Sequence, residues 1–196
     1  YNPHKPGRPS HTYHTYFIAN LRLVLDVEVQ PGNRTASKHS SPGLWELLGR
    51  IPRAHWPAFI RGDRDWGTQA NMARAEQEGI DYLFKLRLTA KVKKLIERLM
   101  RGADWTDAGQ GWQGAEAPVR LTGWSRARRA VVLRRRINKD LAVVEASDPE
   151  QLRLSFAELS DEAVVYEYAV LVTSLRDEIL TVAQLYRDRA DCENPF

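Results

Sequence analysis

Residues 58–79, AFIRGDRDWGTQANMARAEQEG, decide the fold class of this chain. Ala58-Phe59-Ile60 is a short apolar run that reads as a buried strand, and Arg61-Gly62-Asp63 carries it to an acidic end. Thr68 is a helix N-cap residue and Gly79 a helix stop, so a helix is expected from Thr68 to about Glu78. Tyr82 to Leu88 follows at once as another strand. Strand, helix and strand in close succession place the chain in the α/β class.

Upstream, residues 1–12 carry three prolines and a glycine and read as an extended, exposed segment. Two strand-like runs come next, Tyr13 to Ala19 and Leu21 to Gln30. In the second, Leu21, Leu23, Leu25, Val27 and Val29 alternate with a half-polar set, which buries one face. Pro31-Gly32-Asn33 turns the chain, and Ser40 or Ser41 with Pro42 starts a short helix over Gly43–Arg50. Downstream, Lys91 to Arg101 is a basic amphipathic helix with Val92, Leu95, Ile96 and Leu99 inward. From Asp104 to about Leu154 glycines and a proline punctuate short segments, with strands expected over Val119–Thr122 and Ala130–Arg136. Val164–Ser174 reads as a strand and Glu178–Asp191 as the closing helix. There is no internal repeat.

At 196 residues this is one domain with room for an inserted subdomain. The net charge is +4, but it is unevenly spread: residues 117–139 hold eight basic side chains and no acidic one. That concentration points to a polyanionic partner. The single cysteine, Cys192, forms no internal disulfide and reads as a helix-packing residue. No apolar run is long enough to span a membrane and no signal-peptide pattern opens the chain, so a cytoplasmic protein is expected. A start at Tyr1 rather than Met, and an end one residue past Pro195, lead us to expect a fragment.

Two groups of residues bear chemistry. In YRDRADCENPF (186–196), Tyr186, Arg189 and Glu193 stand at i, i+3 and i+7, on one face of a helix. A carboxylate held between an arginine and a phenol is oriented as a ligand for a hard divalent cation, whereas the plainer reading is a solvated charged face. Asp63 follows a strand end, where α/β sheets gather catalytic groups; Asp65 competes for the role from the same loop, and a solvent-facing turn is the alternative. Arg126, Arg128, Arg129, Arg134, Arg135 and Arg136 read as contacts to nucleic-acid phosphates, with arginines flanking a core strand as the alternative. Trp124 and Trp66 are candidates either for stacking on an unpaired base or for the core. His4, His11 and His14 make a poor metal site; Lys5, Arg8 and His11 fit contacts to a DNA backbone better.

Four stretches in order, YNPHKPGRPSH (1–11), FIRGDRDWG (59–67), GWSRARRAVVLRRR (123–136) and YRDRADCEN (186–194), resemble the DDE transposases of bacterial insertion sequences. The resemblance is to the subgroup with a Tyr-Arg-Glu signature. It implies a ribonuclease H-like core over 1–88 and 163–196, interrupted by a basic, mostly β insertion over 89–162. By that resemblance Asp63 is the second catalytic aspartate and Glu193 the glutamate, both ligands of two Mg²⁺ (or Mn²⁺) ions, with Tyr186 and Arg189 in support. Nothing here has the sulfur and imidazole set that zinc prefers.

The first strand and its aspartate are expected upstream of Tyr1, because Asp26 leaves too few elements before Asp63. The signature's lysine would fall beyond Phe196, and Pro195 would break the helix leading to it. Arg64-Asp65-Trp66 also stands where relatives carry Ser-Gly-aromatic. The implied activity is cutting of transposon ends and joining of the 3′-hydroxyl to target DNA. The implied partners are double-stranded DNA of inverted repeats and target, and a second copy in a homodimer on DNA. This chain alone is expected to be inactive. The rival readings are a non-enzymatic DNA-binding remnant and a ribonuclease H-like nuclease without strand transfer.

Overall fold

The computed structural model describes residues 11–32, 36–137 and 165–188. Its elements are the strands β1 (His11–Ile18) and β2 (Leu23–Pro31), helix α1 (Ala36–Gly49), β3 (Phe59–Gly62), α2 (Gln69–Glu78), β4 (Asp81–Lys85) and α3 (Ala90–Gly102). There follow β5 (Thr106–Asp107), β6 (Trp112–Val119), β7 (Arg128–Ile137), β8 (Val165–Thr173) and α4 (Ile179–Arg187). The chain is mixed α/β, with a mixed sheet compatible with a ribonuclease H-like fold.

Local chemistry explains the element that opened the sequence reading. The Thr68 side chain accepts the Asn71 N–H at the start of α2, and Gly79 closes it in the left-handed conformation at φ +65°. The crossover through α2 lets β3 and β4 pair in parallel, with Phe59 opposite Asp81. Beyond β4 the six-stranded sheet runs β3-β4-β8-β7-β6-β5. All its pairings except β3–β4 are antiparallel.

Helices cover both faces of this sheet. On one side Ile60, Tyr82, Phe84, Ala130, Val132, Val170 and Val172 pack with Met72 and Ala75 of α2 and with Val92, Leu95, Ile96 and Leu99 of α3. On the other, Leu83, Val131, Leu133 and Leu171 meet Val182 and Ala183 of α4. Successive strand residues point to opposite faces, so two buried faces demand an unbroken apolar run. The Val131-Val132-Leu133 triplet, which breaks the expected alternation, has this cause.

Hairpin β1–β2 forms a separate two-stranded sheet, and α1 packs against it. Tyr16 donates its hydroxyl hydrogen to Glu28 Oε1 (2.9 Å) on the α1 side, so the other face, Leu21, Leu23, Leu25, Val27 and Val29, which the alternation predicts to be buried, is instead exposed. Helix α1 starts at Ala36 instead of near Gly43 and carries Pro42 inside it.

The strand expected over Val119–Thr122 instead occupies Trp112–Val119. Its small residues hid it, since Gly114 and Ala115 leave little apolar signal. A Cβ at Gly114 would run into Ile179 of α4, so the glycine permits a close helix approach.

Candidate active site

Asp63 stands immediately after β3, at the same end of the sheet as the end of β4. Its loop is tightly built. Asp63 Oδ1 accepts the Arg64 N–H (2.6 Å), and its backbone carbonyl accepts the Trp66 N–H (2.9 Å). The Trp66 ring lies against Gly62, where no Cβ would fit, and tilts against Phe84 with centroids 6.2 Å apart. Trp66 therefore braces the loop from the core side. The competing carboxylate, Asp65, is ion-paired with Arg87 from the segment that leads into α3.

A long-range contact brings α4 to this loop. The Arg61 guanidinium, two residues before Asp63, donates to the backbone carbonyl of Leu185 near the end of α4. Phe59 of β3 packs in the same apolar cluster as Leu185 and Tyr186. Tyr186 thus sits beside the strand that presents Asp63. Arg189, Cys192 and Glu193 lie outside the described residues, as do His4, Lys5 and Arg8.

The arginines expected to face nucleic acid divide between two ends of β7, roughly 20 Å apart at strand rise. Arg126, Arg128 and Arg129 lie at the end remote from Asp63, and Arg134, Arg135 and Arg136 at the near end. At the remote end Arg128 is 5% exposed and forms a forked pair with Glu76: Nε to Oε1 at 2.8 Å and Nη2 to Oε2 at 3.1 Å. Arg126 reaches the same carboxylate at 3.0 Å, and the Tyr82 hydroxyl donates to it at 2.9 Å.

Burial opposes the Glu76 charge, but the hydrogen bonds from Arg128, Arg126 and Tyr82 and the Arg128 charge outweigh it and hold the carboxyl at about 2. Burial, then the bond to Glu76, pushes the Tyr82 phenol up. Arg129 pairs with Glu116 and with the Leu175 carbonyl. Trp124 is 6% exposed and packs in the core with the Arg128 guanidinium 5.4 Å from its ring. Arg128 and Trp124 are therefore withdrawn from the expected DNA-facing set: the alternation of β7 turns Arg128 inward with Ala130 and Val132, and Trp124 has no face left for a base.

An open cleft of about 480 Å³ lies at this remote end, lined by Tyr82, Glu116, Arg126, Arg128, Arg129 and Arg176 among others. It is at the start of β4, the opposite end from Asp63, so it is no part of the Asp63 site.

At the near end Arg135 pairs with Glu167. Arg134 is held between the rings of Trp105 (3.9 Å) and Tyr166 (4.9 Å), with its Nε donating to Gln113 Oε1 at 3.0 Å. Arg136 is exposed.

A family model described as transposase DDE domain matches residues 2–196. The chain belongs to that family. No curated protein matches it. Membership implies transposition activity on DNA in general terms, and the family generally uses divalent metal ions.

The donor chemistry of the transposase domain suits such an ion. The loop 63–68 offers carboxylate oxygen, the donor that suits Mg²⁺ or Mn²⁺. Among the described residues no three His, Cys, Asp or Glu gather. No helix among them is long and apolar enough to cross a membrane.

Proposed function

We propose that this transposase domain takes part in metal-dependent phosphodiester transfer at DNA ends, with Asp63 and Glu193 as metal-ligating acids. The observation that supports this best is the bond from Arg61 to the Leu185 carbonyl. It ties the end of α4, with Tyr186, to the strand that presents Asp63; Glu193 follows α4 by six residues. Arg189 and Tyr186 would orient the Glu193 carboxylate. The segment 89–162 is read as a β-rich insertion into a ribonuclease H-like core, its strands β5, β6 and β7 extending the sheet of β3 and β4.

Bound divalent cations would supply charge stabilisation for the attacking and leaving oxygens of the scissile phosphate. The protein's own contribution is positional. The Arg64 N–H fixes one oxygen of Asp63, Trp66 closes the loop behind it, and Arg87 pairs with Asp65. Duplex DNA of element ends and target is the substrate that fits. Assembly as a homodimer on that DNA and a nucleoid location belong to the same proposal.

The test is Mg²⁺-dependent cleavage and strand transfer by an active transposase carrying this domain. Asp63→Asn and Glu193→Gln each abolish cleavage and leave DNA binding intact. Wild-type-like cleavage by either variant sinks the assignment, and cleavage without joined product would make the enzyme a nuclease.

A further inference from the structure

The basic segment 126–136 spends most of its charge internally, as the pairs to Glu76, Glu116 and Glu167 show. Apart from Arg134 and Arg136, the positive charge without an ion pair among the described residues is densest on α3. Helix α3 has five basic residues and one acid, a net +4, as much as the whole chain carries. Lys91, Lys94, Arg98 and Arg101 follow a +3, +4, +3 spacing, which sets them in one stripe along the helix. All four are exposed, and Val92, Leu95, Ile96 and Leu99 are buried on the opposing side. Among the described residues none of the four forms an ion pair.

Helix packing needs only the apolar face. Four aligned cations on an outer face repel one another, and among the described residues Arg98 Nη2 gives the fold only a long bond to the Pro118 carbonyl at 3.5 Å. The face has a use if a polyanion lies across it.

The ends of α3 say which polyanion. Just before the helix, Arg87 is ion-paired with Asp65 in the Asp63 loop, so the stripe begins four residues from a contact with the candidate active site. At the other end Met100 touches Arg134 Nη1 through its sulfur (3.4 Å) and lies against the Tyr168 hydroxyl (2.9 Å). The stripe is about 15 Å long at helical rise, the length of about four phosphates along one strand of a duplex.

We infer that the Lys91–Lys94–Arg98–Arg101 stripe of α3 is a docking surface for the phosphate backbone of duplex DNA, leading it to the Asp63 loop. Arg134, presented by its aromatic neighbours at the far end of α3, and Arg136 beyond it extend the same surface. The contact is sequence-independent, because cations on phosphates fix position and carry no base information. This inference rests on the proposed function for its occupant.

The experiment uses the full chain, without metal, and a labelled duplex of about 30 base pairs, with binding read by fluorescence anisotropy from about 50 to 200 mM salt. The variant replaces Lys91, Lys94, Arg98 and Arg101 by Gln, with far-UV circular dichroism and thermal melting to verify the fold. Each phosphate contact contributes about 0.9 to the slope of log affinity against log salt. Loss of four lowers that slope by about 3.6, so across this range the wild type loses about 150-fold more affinity than the variant.

Glu97→Lys, which adds a cation beside the stripe, steepens the slope by about 0.9, a gain that misfolding cannot mimic. A quadruple variant with wild-type affinity and slope overturns the inference, as does binding to anionic vesicles in place of duplex DNA. Failure of the functional reading is a separate result: cleavage that persists in Asp63→Asn, whatever the stripe variant does.

Discussion

Glu76→Gln tests the buried end of the sheet, where the carboxylate of α2 meets the guanidinium of β7. Four donor atoms converge on Glu76: Arg128 Nε and Nη2, Arg126 Nη2 and the Tyr82 hydroxyl. The Arg128 side chain is 3% exposed, so it cannot recover its solvation when the carboxylate is removed. An amide would also turn an N–H donor toward guanidinium donors.

The carboxyl titrates at about 2 against 4.5 for the unperturbed group. That difference is worth about 3 kcal/mol at pH 7, at the lower end of the 3–5 kcal/mol lost when one partner of a buried pair is removed. The sign follows from the depressed value. Stabilisation by the ionised form is complete above 4.5 and fades as pH falls toward 2, with about 1 kcal/mol left at pH 3.

Urea unfolding followed by tryptophan fluorescence at pH 7 and pH 3 reads both terms. The gap between wild type and variant should shrink by about 2 kcal/mol between those pH values. A gap under about 1 kcal/mol at pH 7, or one that does not change with pH, refutes the reasoning.

Two further substitutions address local geometry and the withdrawn DNA contact. Gly79→Ala places a Cβ on a residue at φ +65° and should cost about 1 kcal/mol in urea unfolding, with no loss if the helix end is free to rearrange. Trp124→Ala should lower stability by about 3–5 kcal/mol yet leave the duplex affinity of the folded protein unchanged, whereas a selective loss of affinity would restore Trp124 as a base-stacking residue.

The place of Asp63 at a strand end is legible in the sequence. The apolar run announces a strand before Asp63, and the strand spans Phe59–Gly62 with Ile60 buried and Ala58 left outside it. The α2 boundaries were readable because a cap and a left-handed stop are short-range chemistry. The inward residues of α3 were readable because helical period alone selects them. Strand β6 was misplaced because Gly114 and Ala115 fill their positions by closeness to α4, and proximity leaves no hydropathy signal. The positions of Arg189 and Glu193 lie outside the described residues.

By itself the sequence determined what depends on neighbours a few residues away: the helix ends, the face of α3, the acid after β3 and the excess of arginine near 130. Only the tertiary structure decided what those arginines do. Glu76 lies 52 residues from Arg128, and no local pattern announces that the two meet. The register of β7 in the sheet turns Arg128 into the core, Arg135 toward Glu167 and Arg134 between two rings, so one basic run acquires three different environments. The Arg61–Leu185 bond spans 124 residues and likewise exists only once the sheet has assembled. Charge is a property of the sequence, but whether it is neutralised depends on distances that folding alone creates.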